Sequence, residues 1–301
     1  MRSSVIFIFS VIVFLSACKQ EQEQQVVTES ENPFFAEFNT PFNVPPFEKI
    51  DTSHYIPAFK KGIEEQQAEV DAIIASNEEP TFENTIVPYD QSGRLLKKVS
   101  NVFYSLNSAN TNPSMQNIAR EVAPLVTDHR DNIVLNEKLF QRIKSVYGKM
   151  DEAGLDDLQK RVLGKYYNDF VRNGADLNFE DKEKLRAINQ ELATLRLQFD
   201  ENQLAETNTN FKLIIEDEKD LAGLPQEVKE AASITARDNG LEGKWVFTLQ
   251  KPSMIPFLQY ADNRDLREKI YRGYFMRGNN DNTSDNKEVM RKIVNLRSEK
   301  A

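Results

Sequence analysis

Residues 54–76 read HYIPAFKKGIEEQQAEVDAIIAS, and this stretch shows most directly how the chain folds. Its large apolar residues recur every three or four positions, which places them on one face of an α-helix with charged residues opposite. Pro57 lies in the predicted first turn, where a missing backbone N–H costs little. The apolar positions are Tyr55, Phe59, Ile63, Val70, Ile73 and Ile74. We therefore expect an amphipathic helix that packs against other helices.

The same period recurs along most of the chain. Thr81 with Asn84 begins the next predicted element, whose apolar stripe runs from Leu95 to Leu106. Gly provides only 11 of 301 residues, which favours helix over turn-rich β architecture. Further helices are predicted at residues 115–135, 138–150, 155–173, 181–204, 226–239, 254–261, 266–277 and 284–301. Residues 33–301 are therefore expected to form a mainly α, multi-helix region.

Two short runs interrupt the helical pattern. Residues 211–215 (FKLII) and 245–249 (WVFTL) are rich in β-branched and aromatic residues, and turns bound both of them. The predicted helix between them ends at Gly240, a residue that favours the conformation in which helices end. Because a lone strand leaves its backbone groups unpaired, we expect the two runs to form a strand pair.

The predicted helix over residues 284–301 carries an apolar stripe that requires a packing partner. Ser284 is expected to be its N-cap, with Lys287 rather than Glu at the capping-box position. No Gly, Asn or Pro stop signal follows Leu296. The stripe consists of Val289, Ile293, Val294 and Leu296. A natural C-terminal helix and a helix cut within a domain both fit this pattern, and we expect the second.

Residues 32–47, NPFFAEFNTPFNVPPF, contain four Pro and five Phe. Pro fixes its own backbone angle and removes a hydrogen-bond donor, so this segment is not a regular helix. We expect it to run extended across the surface and to insert aromatic side chains as anchors.

The N-terminus has the features of an export signal. Residues 1–17 combine Arg2 with the apolar run VIFIFSVIVFL, which is too short to span a bilayer. Ala17 and Cys18 follow as the predicted cleavage site, in the pattern LSAC that resembles a bacterial lipobox, with Cys18 lipidated. A buried thiol beside a plain secretory cleavage site is the alternative. Residues 18–32 are polar and acidic, and we expect a disordered tether. The expected location is the bacterial cell envelope, as an exported, membrane-anchored lipoprotein.

Composition excludes several classes of function. A net charge of −9 and an isoelectric point near 5.1 argue against a nucleic-acid binder. A single Cys excludes an internal disulfide and a Cys-based zinc site. His54 and His129 are the two histidines, which leaves little room for His-based chemistry.

One stretch has the spacing of a protein-kinase catalytic loop. His129, Arg130 and Asp131 are followed by Asn136, as in the pattern HRDxxxxN. The sequence has no glycine-rich GxGxxG, no VAIK-like strand and no DFG, so a kinase is rejected. His129 instead lies in an amphipathic helical stretch, where a solvated or capping cluster is expected.

Other patterns also lack a necessary residue. Asp176, Asn178 and Glu180 begin like a calcium loop, but Asp181 replaces the required Gly and Ala187 the required Glu. The sequence has no GxSxG nucleophile elbow, and His54 precedes Pro57 in a position that favours capping. No catalytic or metal-binding constellation emerges from these residues.

Longer phrases carry a more specific signal. PPF at residues 45–47, HYIPAF at 54–59, PTFENTI at 80–86 and SANTN at 108–112 together resemble the M3 family of zinc peptidases, in particular its dipeptidyl carboxypeptidases. The resemblance covers residues 32–301, and NLRSEKA at 295–301 resembles a helix from the middle of that family's sequence. It implies a helical, two-lobed fold with a deep channel, and zinc-dependent release of C-terminal dipeptides from short peptides.

The catalytic motif of that family is HExxH, in which two His bind zinc and the Glu activates water. Tyr55 and Arg130 follow the two histidines here, so no catalytic or metal residue of the family can be assigned to this sequence. We expect the N-terminal part of such a peptidase, truncated before the zinc helix and inactive alone. The missing C-terminal half is then its partner, and short peptides are substrates of the intact enzyme. The alternative is a non-catalytic, lipid-anchored helical protein that binds peptides or acts as an adaptor.

Overall fold

The structure, a computed structural model, describes residues 32–301 and confirms a mainly helical chain. The helices are α1 (Tyr55–Ala75), α2 (Val87–Gln91), α3 (Arg94–Ala109), α4 (Pro113–Val134), α5 (Glu137–Gly148), α6 (Asp157–Arg172), α7 (Phe179–Ala205), α8 (Gln226–Asp238), α9 (Lys251–Tyr260), α10 (Arg264–Phe275) and α11 (Lys287–Lys300). The strands are β1 (Leu213–Ile215) and β2 (Trp245–Phe247). Within residues 32–301, no helix has both the length and the hydropathy needed to cross a bilayer.

Short polar side chains begin several helices. Asn112, Asn136 and Asn178 accept backbone N–H groups in the first turns of α4, α5 and α7, at 3.0–3.1 Å. Thr81 and Asn84 form the predicted start of the next element as a reciprocal capping box. Each cap satisfies a donor that the helix itself leaves unpaired, so the predicted starts of these helices are close to the observed ones.

The element predicted to run from Thr81 to Leu106 is interrupted. The chain turns at Gly93, whose φ of 69° lies in the left-handed region, and α3 begins only at Arg94. The Gly93 N–H donates to the Glu69 carboxylate of α1 at 2.7 Å. The single-element prediction was wrong here because this bond from another helix holds the break in place.

The first core joins α1, α3 and α4 with the N-terminal aromatic segment. Phe34 and Phe38 are buried in it, which confirms that this segment supplies aromatic anchors, whereas Phe42 is 99% exposed. α1 and α3 approach closely at Gly62, where an added Cβ would lie 2.7 Å from the Leu96 backbone nitrogen. The rest of this core is Tyr55, Ala58, Phe59, Leu96, Val99, Val102, Phe103, Met115, Ile118, Ala119 and Val122.

A second core lies between the C-terminal half of α1 and helices α5 and α6. Its large buried side chains include Phe140 and Phe170, whose rings stack at 6.4 Å. Residues 82–86 form a wide π-type turn that supplies Phe82 and Ile86 to the same core. The long helix α1 therefore spans two cores, which explains why its sequence pattern is so regular.

The strand pair is confirmed, although both strands are shorter than predicted. β1 and β2 are antiparallel, with Leu213 opposite Phe247 and Ile215 opposite Trp245. The pair packs with α8, α9 and α10 around Leu221, Phe257 and other buried residues. α8 ends at the predicted position, since Gly240 has a φ of 70°. These elements form a small α/β layer within the helical chain.

The apolar stripe of α11 packs on α7. Val289 and Ile293 are buried against Leu192 and neighbouring residues of α7, whereas Val294 is 62% exposed. The helix begins at Lys287 rather than at Ser284, and the Asp285 carboxylate accepts the Lys287 N–H at 2.8 Å. Ser284 is instead buried in the preceding loop, so its assignment as the N-cap was wrong.

Candidate functional site

The predicted lipidation and cleavage residues, Ala17 and Cys18, lie outside the described residues, as does the predicted signal segment. Description begins at Asn32, which is buried and donates from its side chain to the His54 carbonyl oxygen at 2.9 Å. This bond ties residue 32 to the turn that precedes α1.

His54 has the capping role that its sequence position indicated. Its Nδ1 accepts the backbone N–H of Asp51 at 3.0 Å, and the Asp51 carboxylate accepts the N–H of Ser53 at 2.8 Å. The pair forms a capping box in front of α1. The Nδ1 atom of His54 is therefore occupied by a backbone hydrogen bond.

The HRD stretch does not form one site, because its side chains contact different partners. His129 is buried in α4 and bonds Gln66 at 2.9 Å, and Asp131 accepts the amide of Asn189 at 3.0 Å. Asn136 caps α5, as the capping interpretation allowed. Burial lowers the pKa of His129 and raises the pKa of Asp131. The prediction of a solvated cluster was wrong for these two residues, which hold α4 against α1 and α7.

One residue of the rejected calcium pattern, Asn178, caps a helix instead. Asn178 accepts the backbone N–H of Asp181 at 3.0 Å and caps α7. Across residues 32–301, no three or more His, Cys, Asp and Glu side chains are grouped so that they could hold a metal ion.

A buried carboxylate that the sequence analysis did not single out lies at the end of α7. Glu206 is only 2% exposed and accepts hydrogen bonds from Asn210 at 2.8 Å and Asn282 at 2.6 Å, and a third from the amide of Asn280. A cavity of 320 Å³ lies beside this cluster. We call Glu206 with these three Asn residues the Glu206 cluster. The signal in the sequence was the Asn-rich run at residues 279–286, although runs of this kind are also typical of ordinary turns.

The same loop is fastened to α7 by further amides. Asn202 donates to the Asn286 side-chain oxygen at 2.8 Å, and Asn286 donates to the Phe199 carbonyl oxygen at 3.1 Å. Gln203 donates to the Arg277 carbonyl oxygen at 3.2 Å. All of these polar groups have hydrogen-bond partners within the protein. The Glu206 cluster therefore joins α7 to the loop between α10 and α11, which is a structural role.

The Glu206 cluster predicts a pH dependence of stability. Burial raises the pKa of Glu206, but the hydrogen bonds from Asn210, Asn282, Asn280 and the Gly278 backbone outweigh it and hold the pKa below its ordinary value of 4.5. A carboxylate with a lowered pKa stabilises the folded state above its unfolded-state pKa. That contribution is lost as the pH falls through the folded-state value. Wild type is therefore expected to lose more stability than Glu206→Gln between pH 7 and pH 3.5.

Urea unfolding at the two pH values measures this difference. Glu242→Gln, in the exposed turn before β2, is the matched control and should lose as much stability between the two pH values as wild type does. Parallel losses for wild type and Glu206→Gln would contradict the expected contribution.

A groove between α8 and α9 has a volume of about 600 Å³. Its apolar lining includes Val228, Phe247 and Pro256. The polar residues that line it include Glu227, Thr235, Ser253 and Gln259. A concave surface lined by apolar side chains and a few polar groups is typical of surfaces that bind small ligands or peptide side chains.

No family model matches the chain, but individual proteins match most of it. The chain is 33% identical over 270 residues to dipeptidyl carboxypeptidase of Escherichia coli K12, covering 90% of this chain and 40% of that protein. It is 31% identical over 266 residues to oligopeptidase A of the same organism, covering 87% and 39%. It is 29% identical over 280 residues to organellar oligopeptidase A of Arabidopsis thaliana, covering 91% and 34%.

These relatives confirm the resemblance seen in the phrases PPF, HYIPAF, PTFENTI and SANTN, because the similarity extends along about nine-tenths of the chain. The chain spans about two-fifths of the length of the curated relatives it matches. Dipeptidyl carboxypeptidase and the oligopeptidases A match nearly the same share of the chain, as expected for members of one homologous family. The chain therefore belongs to the M3 family of peptidases.

Proposed function

We propose that this chain provides the non-catalytic, N-terminal part of a zinc-dependent peptidase that releases C-terminal dipeptides from oligopeptides. The similarity of nine-tenths of the chain to two-fifths of a dipeptidyl carboxypeptidase carries this proposal. The remaining three-fifths of such a protein would supply the zinc ligands and the catalytic carboxylate.

The residues described here do not fit the zinc ion that the family implies. His54 is committed to the Asp51 backbone and His129 to Gln66, and the two belong to different packing contacts. Residues 32–301 contain no Cys that could add a thiolate ligand. No catalytic step is therefore assigned to this chain, whose helices and α8–α9 groove would form a scaffold and one wall for the peptide.

The chain alone is expected to show no peptidase activity and to retain no stoichiometric zinc. A tetrapeptide that is blocked at its N-terminus and free at its C-terminus is incubated with the purified chain and zinc. The released C-terminal dipeptide is quantified by mass spectrometry. E. coli dipeptidyl carboxypeptidase serves as the positive control. Chelator-sensitive release of dipeptide by the chain alone would overturn the non-catalytic assignment.

The α8–α9 groove favours one alternative, a non-catalytic peptide-binding or adaptor protein. In that case the chain should retain a labelled tetrapeptide without hydrolysing it, and Ala231→Trp should weaken retention by filling the groove. Equilibrium dialysis of the same preparations measures this. Absence of binding by wild type would remove the alternative.

We further propose that the chain is anchored in the bacterial envelope through a lipidated Cys18. The support is the sequence LSAC directly after a short apolar run. Cys18→Ser is expected to move the protein from the membrane fraction to the soluble fraction of an expressing bacterium. An unchanged distribution would contradict anchoring at this residue.

A further inference from the structure

The loop before α1 presents a phenylalanine to solvent at its tip. Phe42 is 99% exposed, the highest value among the exposed large apolar side chains of residues 32–301. Pro41, Asn43 and Val44 beside it are exposed as well. We call residues 41–44 the aromatic tip. Single exposed apolar residues are ordinary, so the exposure of Phe42 needs to be weighed together with the backbone and charge of the tip.

The backbone of the aromatic tip holds Phe42 in an unfavourable conformation. Phe42 and Asn43 have φ angles of 58° and 54°, both in the left-handed region. Asn adopts this region comparatively easily, but a bulky aromatic residue does so rarely. Strain of this kind persists only where the surrounding structure fixes it, and it is concentrated at functional sites.

Hydrogen bonds and buried neighbours fix the aromatic tip in place. The N–H groups of Asn43 and Val44 donate to carbonyl oxygens within the turn, at 3.0 and 3.3 Å. The Thr40 hydroxyl donates to the Val44 carbonyl oxygen. On either side of the tip, Phe38 is buried in the first core and Pro46 is buried too. Because these polar groups are paired within the turn, moving the tip out of water costs less than it would for an open loop.

The sequence around the aromatic tip carries no charge. The ten residues from Phe38 to Phe47 contain no Asp, Glu, Lys or Arg, although 28% of the whole chain is charged. The nearest carboxylates in sequence, Glu37 and Glu48, lie outside this run. Charged groups enter hydrocarbon only at high cost, whereas Phe is typical of the apolar side that proteins bury at a membrane interface. The tip therefore has the chemistry of a membrane-interface contact.

The aromatic tip also follows closely on the proposed lipid anchor. Asn32, the first described residue, lies fourteen positions after Cys18, which is at most about 50 Å of fully extended chain. Phe34 and Phe38 are buried and fasten the segment after Asn32 to the first core. An anchor at Cys18 thus keeps this side of the protein near the bilayer. Such tethering gives even a weak second contact a high effective concentration.

We propose that the aromatic tip inserts Phe42 into the interface of the phospholipid bilayer that holds Cys18. This rests on the anchoring proposed at Cys18. Insertion adds a second membrane contact to the lipid chains, and it turns the first core, on which the tip is mounted, toward the bilayer.

The test attaches the chain to vesicles without relying on bacterial lipidation. Residues 18–301, the chain that cleavage before Cys18 leaves, contain one thiol. This thiol is coupled to a maleimide-bearing phospholipid in vesicles of phosphatidylethanolamine and phosphatidylglycerol. Phe42→Trp places a fluorescent reporter at the tip, and lipids brominated on their acyl chains quench a Trp that reaches them. The signal of Trp245, the one native Trp, is measured in the unsubstituted chain and subtracted.

Phe179→Trp is the matched control, because Phe179 is 80% exposed at the start of α7, outside the aromatic tip. Brominated lipid is expected to quench Phe42→Trp about twofold and to leave Phe179→Trp unchanged. The emission of Phe42→Trp should also shift to shorter wavelength on coupling. Circular dichroism should be the same for both variants and the unsubstituted chain, because neither ring is buried.

The absence of quenching for Phe42→Trp, or equally strong quenching for Phe179→Trp, would overturn the insertion proposal. A shift in Phe42→Trp emission that appears without lipid and grows with protein concentration would assign the tip to a second copy. A shift that appears without lipid on adding the part of E. coli dipeptidyl carboxypeptidase outside the matched region would assign it to that part. Either of these results also overturns insertion.

The cell-fractionation experiment on Cys18→Ser separates this proposal from the anchoring on which it rests. Quenching of Phe42→Trp in coupled vesicles, with an unchanged distribution of Cys18→Ser in cells, keeps the tip as a membrane-binding element and removes the anchor. Release of Cys18→Ser from the membrane fraction, without quenching of Phe42→Trp, keeps the anchor and removes the insertion.

Discussion

Replacing Arg142 with Met is expected to lower the free energy of unfolding by about 3 kcal/mol, because buried hydrogen bonds to a charged group are lost and their acceptors remain. Arg142 lies on α5 and is only 9% exposed. Its guanidinium donates to the carbonyl oxygen of Ser76 at 2.9 Å and of Glu78 at 3.3 Å. It also donates to the side chains of Asn84 and Thr85, both at 3.3 Å.

These bonds connect three separate pieces of chain. Ser76 and Glu78 follow the C-terminus of α1, where helix carbonyl groups have no partner within the helix. Asn84 and Thr85 belong to the π-type turn before α2. Met fills a similar volume without donors, so the substitution isolates the hydrogen bonds from the packing of the stem.

Urea unfolding followed by circular dichroism measures the Arg142→Met effect. Arg161→Met, at an exposed position of α6, makes the same chemical change and should alter stability by less than about 0.5 kcal/mol. Arg142→Lys keeps the charge but not the planar fork, so an intermediate loss is expected. Equal stability of the two Met variants would show that the Arg142 bonds contribute nothing measurable.

Arg142 also illustrates what the sequence could not reveal. Its acceptors lie 57 to 66 residues earlier in the chain, and nothing in the local sequence around residue 142 indicates them. The Glu206 cluster is similar, because Asn280 and Asn282 lie more than 70 residues beyond the carboxylate. Long-range polar contacts depend on how helices pack, which periodicity alone does not specify.

Local patterns were predicted much better. The helices α1, α4, α5 and α6 follow directly from apolar spacing and from caps within four residues of each start. The strand pair followed from two short β-rich runs. The errors at Gly93 and Ser284 both occur where a bond from another element, or from a loop, decides where a helix begins.

Function depended on a different kind of signal. Composition and spacing argued against kinase and calcium sites. In the structure, His129 and Asp131 form packing contacts between helices, and Asn178 caps α7. Membership of the M3 family was recognisable from phrases such as PTFENTI. The residues of this phrase have structural roles here. Thr81 and Asn84 cap the π-type turn, and Phe82 and Ile86 pack in the second core.

The second large effect is expected from Phe103→Ala, which should lower the free energy of unfolding by about 3–5 kcal/mol. Phe103 is fully buried on α3. The centroid of its ring lies 5.1 Å from that of Tyr55, 5.5 Å from that of Phe59 and 5.2 Å from that of Tyr104, each pair edge to face. Removing the ring costs the burial of its apolar surface, the three aromatic contacts and the filling of the space between α1 and α3.

Tyr104→Ala is the matched control for this substitution, because it removes an aromatic ring from the next position of the same helix. Tyr104 is 41% exposed, so about 1 kcal/mol is expected, and the gain in helix propensity is similar for both variants. If both variants lose the same stability in urea unfolding, the first core does not depend on Phe103 as its central side chain. A loss for Phe103→Ala several times larger than for Tyr104→Ala would instead show that the contact between α1 and α3, on which the N-terminal aromatic segment also packs, is held chiefly by this ring.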